Sequence, residues 1–359
     1  MRPPLEPVDF ASLAGWSEDD HLAAFHAFER SAKALTAGQT SPRPAQRAPP
    51  GLAAAARASL SSGVTEKREA RRFFETRFRP FRVGPEEGAG FLTGYYEPCV
   101  PASTVETEEF RWPMLARPAD LVAFAPDAAP TGFPVGVSGA RRLGDGSLVP
   151  YDDRASIEAG RRDPIVWVRD AAEAFLIQVQ GSAQVQFSDG RRARLAYDGR
   201  NGLPYTSIGR LLIEAGEIAE GDMSLATLKA WLRRDGDRGL AMMRRNRSFV
   251  FFKLVEDFDP RLGPIAGSGA PLTPLRSIAV DRTIWAYGLP FWIDAELPWA
   301  DGAPRPFRQL MIAQDTGSAI VGAARADLYF GGGDAAGERA GAIRHPGEFV
   351  VLLPQGDGP

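Results

Sequence analysis

Two acids in the C-terminal quarter of the chain have the surroundings that proton-transfer chemistry needs. Gln314 to Gly333 reads QDTGSAIVGAARADLYFGGG, with Asp315 and Asp327 each beside an apolar strand-like run. Leu310 to Ala313 reads as a short buried strand that enters the turn Asp315-Thr316-Gly317, and Ala319 to Gly322 leaves it. Ala326-Asp327-Leu328-Tyr329-Phe330 reads as a second strand. An acid among Ala, Leu, Tyr and Phe loses hydration, which disfavours its charged form and lifts its pKa towards the range of a general acid. The same spacing also suits an acid that satisfies turn amides at a strand end. Spacing leaves both roles open.

The other chemistry-bearing residue types exclude more than they offer. Cys99 is the single cysteine among 359 residues, so an intrachain disulfide and a cysteine zinc site are excluded. His21, His26 and His345 are the only histidines. His21 and His26 are five apart on an expected helix, the wrong interval for two ligands on one face. No metal or cofactor is expected, and no G-x-S-x-G marks a serine nucleophile. Net charge is −3, which argues against nucleic acid or an anionic membrane as a general partner. No apolar run is long enough to predict a membrane-spanning helix. Met1 to Leu5 lacks the apolar core of a secretory signal, which leaves a cytosolic protein or one whose leader has been removed.

The elements that must position these acids are legible in order. Ser17 is expected to cap a helix to about Leu35, with Leu22, Phe25, Phe28 and Ala32 at helical spacing. Gln39 to Pro50 is proline-rich and reads as a loop. Thr65 opens a charged helix carrying Phe73, Phe74 and Phe78, and Phe91 to Pro98 reads as a strand. From 101 to 163 the chain reads as loops and short strands. Ile165 to Val168 and Ala174 to Gln180 read as strands, and Ala183 to Phe187 with Ala193 to Tyr197 as a hairpin about Asp189-Gly190. Helices are expected from Ile208 to Gly216, after the Ser224 cap, and over Arg238 to Arg245. Phe249 to Phe252 reads as a buried strand. The rest reads as all-β, with strands at Ser277 to Val280, Phe291 to Ala295, Arg308 to Ala313, Ala326 to Phe330 and Phe349 to Leu353. Short strands between glycine and proline turns predict a small barrel.

Seven peptides in this order carry a resemblance: GYYEP at Gly94 to Pro98, QVQGS at Gln178 to Ser182, YDGRNGLPYTSIG at Tyr197 to Gly209, SFVFF at Ser248 to Phe252, VDR around Asp281, QDTGSAI around Asp315 and ADLYFGGG around Asp327. Together they closely resemble the membrane-bound lytic transglycosylase A family of murein-cleaving enzymes, from about residue 90 to the C-terminus. The last three blocks resemble its "3D" module, named for three aspartates. The resemblance implies a mainly β protein with N-terminal and inserted helices: a double-psi β-barrel built from residues 1–100 and 248–359, a second β-barrel domain inserted at 101–247, and a groove between them. It implies non-hydrolytic cleavage of the β-1,4 bond between N-acetylmuramic acid and N-acetylglucosamine, leaving 1,6-anhydromuramic acid ends. It also implies a periplasmic place, with outer-membrane association open, and peptidoglycan glycan strands as the partner. Protein partners are left open.

The family's catalytic aspartate matches Asp327, although close relatives have His-Phe before it where this chain has Arg325-Ala326. One carboxyl can serve both steps when the nucleophile is the sugar's own C6 hydroxyl. Asp315 is expected to orient or electrostatically support the acid. Asp281 either supports it or ties down Arg282 or turn amides. Phe330 or Tyr329 would desolvate it, one of the two by alternation. Tyr95 and Tyr96 in the Gly94 block offer sugar-stacking faces, one of them being core. Gln178 and Gln180 are expected to share a strand face, and Gly181, Ser182, Asp198, Asn201, Gly202, Tyr205 and Ser207 to lie on adjacent turns as substrate contacts. Two other readings stand beside this one: a hydrolase that uses two carboxylates, and a non-catalytic wall-binding protein.

Overall fold

A computed structural model describes residues 3–38, 41–84, 89–124, 129–298 and 303–356. Gln39 and Thr40, at the start of the expected proline-rich loop, lie outside these. The chain divides into two compact units, one of Met1–Tyr96, Pro260–Gly331 and Ala335–Pro359, the other of Glu97–Asp259 and Gly332–Asp334.

The first unit is built on a nine-stranded sheet. Its order is Leu5–Pro7, Phe78–Val83, Glu348–Pro354, Pro290–Pro298, Pro304–Asp315, Ser277–Val280, Arg325–Gly332, Phe91–Glu97 and Arg344–Pro346. Ser277–Val280 runs parallel to Pro304–Asp315 and antiparallel to Arg325–Gly332. The five strands expected after Phe252 are all present. No strand pair closes this order into a barrel among the described residues. Helix His21–Thr36 lays Phe25 and Phe28 against Phe73, Phe74 and Phe78 at ring separations of 5.0–6.4 Å, edge to face except for the tilted Phe28–Phe73 pair. Such pairs add to the stabilisation from burial itself. Below that cluster Gln314 is fully buried and satisfied, donating to Ala27 O and Ser31 Oγ on the helix and accepting from Ser277 Oγ.

Several local readings need correction. Ser17 lies in a short 3-10 turn, and Asp20 caps the long helix by accepting from Ala23 N at 3.3 Å. The charged helix begins at Lys67 behind a Glu66/Glu69 capping box, so Thr65 is not its cap. Helix Pro50–Ser62, opened by a proline in its first turn, was not expected. Nor was helix Asp334–Gly341, which interrupts the otherwise β-rich end.

The second unit holds a four-stranded sheet in the order Val250–Val255, Arg192–Arg200, Ser182–Gln186 and Cys99–Pro101. Two smaller sheets and five α-helices accompany it among the described residues. The expected hairpin is present, with Ser182 opposite Ala196 and Gln186 opposite Arg192. Ala174 to Gln180, expected as a strand, is helix Ala171–Gln180: Asp170 caps it by accepting from Glu173 N, and Gly181 ends it in the left-handed region at φ 84°. Its apolar residues Ala174 to Ile177 run without a break, because both faces of this helix are buried along Ala174 to Gln178. Helix Arg154–Gly160 lies in the region read as loops and strands. Glu97 and Arg194, both nearly inaccessible, form a two-point ion pair at 2.7 and 3.0 Å that Gln184 joins at 3.0 Å. Pairing of this kind is what permits charge in such a core.

Candidate active site

Strand register brings the two acids together. Ala279, on the short Ser277–Val280 strand, is opposite Asp315 on one side and Asp327 on the other. Residues in one row across a sheet share a face, and two strand spacings separate them by about 10 Å. Strand Phe91–Glu97 lies next to Arg325–Gly332. Its alternate residues Phe91, Thr93 and Tyr95 each meet one part of the site. The Phe91 ring lies 5.4 Å from the Arg325 guanidinium, Thr93 Oγ1 donates to Asp327 Oδ1 at 2.6 Å, and Tyr95 OH donates to Asp315 Oδ2 at 3.3 Å.

Burial pushes the Asp327 carboxyl up to about 6. The Arg325 charge and the Thr93 hydrogen bond pull it down, and the nearby Asp315 pushes it up. As a residue Asp327 keeps partial exposure. Burial, with the charges of Asp315 and Asp327, raises Tyr95 well above the ordinary phenol range. It therefore acts as a hydrogen-bond donor over the working pH range.

Asp315 is locked in place. Oδ1 accepts from Arg43 Nη2 at 2.8 Å and from Gly267 N at 2.9 Å, while Arg43 Nη1 reaches Thr316 O at 2.7 Å. Gly267 has to be glycine here: a Cβ would sit 2.7 Å from the Tyr287 hydroxyl and 3.2 Å from Asp315 Oδ1. Asp281 spends its carboxylate on the turn, accepting from Thr283 N, Thr283 Oγ1 and Gly322 N at 2.6–2.9 Å. Arg282 turns instead to Pro44 O.

The remaining expected site residues divide sharply. Tyr96 is core, with Gly337 against its ring, and Gly94 lets Ala340 O and the Phe330 ring approach where a Cβ would be 2.7 and 2.9 Å away. Phe330 thus packs with Arg339 and against Gly94, whereas Tyr329 packs with Tyr95 at a ring distance of 5.2 Å. Gln178 is buried and accepts from Val250 N; on a helix it does not share a face with Gln180. Asn201 is fully buried, donating to Asp152 O and Arg247 O and accepting from Phe249 N and Leu203 N. Gly202, at φ 82°, allows Gly139 to come within 2.0 Å of a would-be Cβ. Ser207 caps a helix, Gly181 ends one, and Ser182 is buried at the start of its strand. Gln180, Asp198 and Tyr205 retain partial exposure. Sequence reading passed over Thr93, which alternation from Tyr95 places on the same face. It had no local signal for Arg43, which lies in the proline-rich loop.

Among the described residues no group of His, Cys, Asp and Glu is arranged to hold a metal ion, and no helix is long and apolar enough to cross a membrane. Residues 91–253 match the family description "MltA specific insert domain" and residues 276–353 match "3D domain". This pairing defines the class: a 3D-domain protein with the MltA-specific insert. "Membrane-bound lytic murein transglycosylase A" of Vibrio cholerae is 32% identical over 274 residues, covering 75% of this chain and 67% of that protein. The Escherichia coli K12 protein of the same name is 32% identical over 270 residues, covering 73% and 65%. The chain thus spans about two thirds of the length of these relatives. A crystal structure of membrane-bound lytic murein transglycosylase from Agrobacterium tumefaciens is 35% identical, with a TM-score of 0.87 and 98% of each chain covered. That of E. coli MltA with bound chitohexaose is 26% identical, with a TM-score of 0.69, covering 99% of this chain and 95% of that one. The chain belongs to the membrane-bound lytic murein transglycosylase A family.

Proposed function

We propose that the protein is a peptidoglycan lytic transglycosylase in which Asp327 alone handles the proton. It acts on the β-1,4 bond between N-acetylmuramic acid and N-acetylglucosamine. In the first half of the reaction the Asp327 carboxyl protonates the leaving O4 as the C1–O4 bond breaks. In the second the carboxylate takes the proton of O6 as O6 bonds to C1, closing the 1,6-anhydro ring. Asp327 ends as it began, and no water is consumed. The carrying observation is a burial-raised carboxyl whose Oδ1 accepts from Thr93, on a residue that keeps partial exposure. The relatives' name and the chitohexaose bound to E. coli MltA, itself a β-1,4-linked amino sugar, support the substrate class.

In this reading Asp315 is an orienting and electrostatic support. Its Oδ1 is held by Arg43 Nη2 and Gly267 N and its Oδ2 accepts from Tyr95 OH, which favours a fixed support over the water-activating base that a hydrolase would need. Asp281 holds the turn. Tyr95 contributes through its hydroxyl, and Gln180, Asp198 and Tyr205 remain substrate-contact candidates on the second unit. We assign residues 1–100 and 248–359 to a catalytic domain of double-psi type, which the parallel pairing of Ser277–Val280 with Pro304–Asp315 beside antiparallel neighbours favours. Residues 101–247 then form the inserted domain. A periplasmic, outer-membrane-associated location fits the relatives' description as membrane-bound.

The test is the product released from sacculi. Anhydromuropeptides support the reading, whereas reducing muramic acid ends mean hydrolysis. Asp327→Asn is expected to abolish release, by about 10³-fold or more, while sacculus binding persists. Normal turnover by this variant would reject the assignment.

A further inference from the structure

Resting on the assignment of Asp327 as the acid, we propose that Arg325 is a positioning residue. It holds a positive charge one hydroxyl away from Asp327, ready for the carboxylate that forms midway through the reaction. Arg325 is partly buried and is held from three sides: Nη1 by Ala326 O, Nη2 by Thr93 Oγ1 at 2.7 Å, and its flat face by the Phe91 ring at 5.4 Å. Among the described residues its polar contacts are a carbonyl and a hydroxyl, not a carboxylate. Burial pulls its pKa below the ordinary guanidinium range, and Asp327 is the charge that opposes the pull. A cation desolvated without a directly paired anion is costly in the resting state.

The donor arithmetic fixes where the acid's proton sits. A guanidinium only donates, so Thr93 Oγ1 accepts from Nη2 and must point its single proton at Asp327 Oδ1, 2.6 Å away. Oδ1 is therefore an acceptor, and the transferable proton belongs to Oδ2. When Oδ2 gives up that proton to O4, the Thr93 bond becomes charge-assisted and Arg325 gains an opposite charge across the hydroxyl. When the O6 proton returns, the resting arrangement is restored. The intervening hydroxyl matters: Arg43 touches Asp315 directly at 2.8 Å, whereas Arg325 reaches Asp327 only through Thr93 Oγ1. Charged and titratable neighbours of Asp327 are Arg325 on its own strand, Tyr95 on Phe91–Glu97, and Asp315 on Pro304–Asp315, which Arg43 pairs.

The experiment measures kcat and KM against pH for the full chain on soluble, uncrosslinked peptidoglycan strands. Arg325→Met should lower the kcat plateau by about 10-fold or more at nearly unchanged KM. It should also move the basic limb upward by about half a pH unit, because less positive charge opposes the proton. Thr93→Val should do the same, Thr93→Ser should keep both properties, and Arg325→Lys should restore much of the rate. An unmoved limb in both Arg325→Met and Thr93→Val, or a moved limb at full kcat, overturns the proposal. If Arg325→Met does not fold, Arg325→Lys and Thr93→Val decide by the same criteria. Failure of the underlying assignment is separate, since it requires turnover by Asp327→Asn.

Discussion

A carboxyl held up to about 6 makes two pH-dependent statements about one residue. The first concerns rate. The acid must be protonated to begin, so kcat should fall as pH rises through about 6, and a rate that stays flat from pH 5 to pH 8 would contradict this. The second concerns stability. Unfolded Asp327 titrates near its ordinary value and folded Asp327 higher, so between about pH 4 and 6 the folded chain binds the extra proton. A stability penalty therefore accumulates across that window and is fully present above it. Asp327→Asn keeps an oxygen for Thr93 and removes the charge. It should be more stable than the parent by about 2 kcal/mol at pH 8 and no more stable at pH 4, as read by urea unfolding.

Elements position this residue through close approaches that tolerate little change. Gly94 sits between Thr93 and Tyr95 on the face turned away from the acids, and Ala340 O would lie 2.7 Å from an added Cβ. Gly94→Ala should cost about 1–3 kcal/mol in chemical unfolding and lower activity more than proportionately, because its strand carries three of the site's contacts. At this scale the sequence was most readable where a strand is buried on both faces, as at Ser277–Val280, or where a turn signal fixes a hairpin, as at Asp189-Gly190. It misled at Ala174 to Gln180, because a helix buried on several sides leaves no periodic polar stripe. Alanine-rich Pro50–Ser62 gave too little contrast between faces. Asp315 and Asp327 were legible as candidates from composition. That Arg43 locks one and Thr93 carries Arg325 to the other was not, because those contacts join residues more than 200 positions apart. Asn201 and Gln178 drew attention as polar residues in distinctive blocks, yet their side chains hold backbone groups within the second unit.

The whole molecule is threaded so that its first unit is finished last. Glu348–Pro354 is an internal strand, third from one edge of the sheet, between Phe78–Val83 and Pro290–Pro298. A stop codon after Gly347 should therefore leave no cooperative unfolding transition for that unit, measured by near-ultraviolet circular dichroism. A retained transition would mean the strand is dispensable. On a ribosome the consequence is a waiting period. The phenylalanines of His21–Thr36 and Lys67–Arg77 emerge well before the strand Glu348–Pro354 that completes their sheet. Such a nascent chain carries a sticky, unfinished surface until that strand is made, a period in which holding factors would decide its yield.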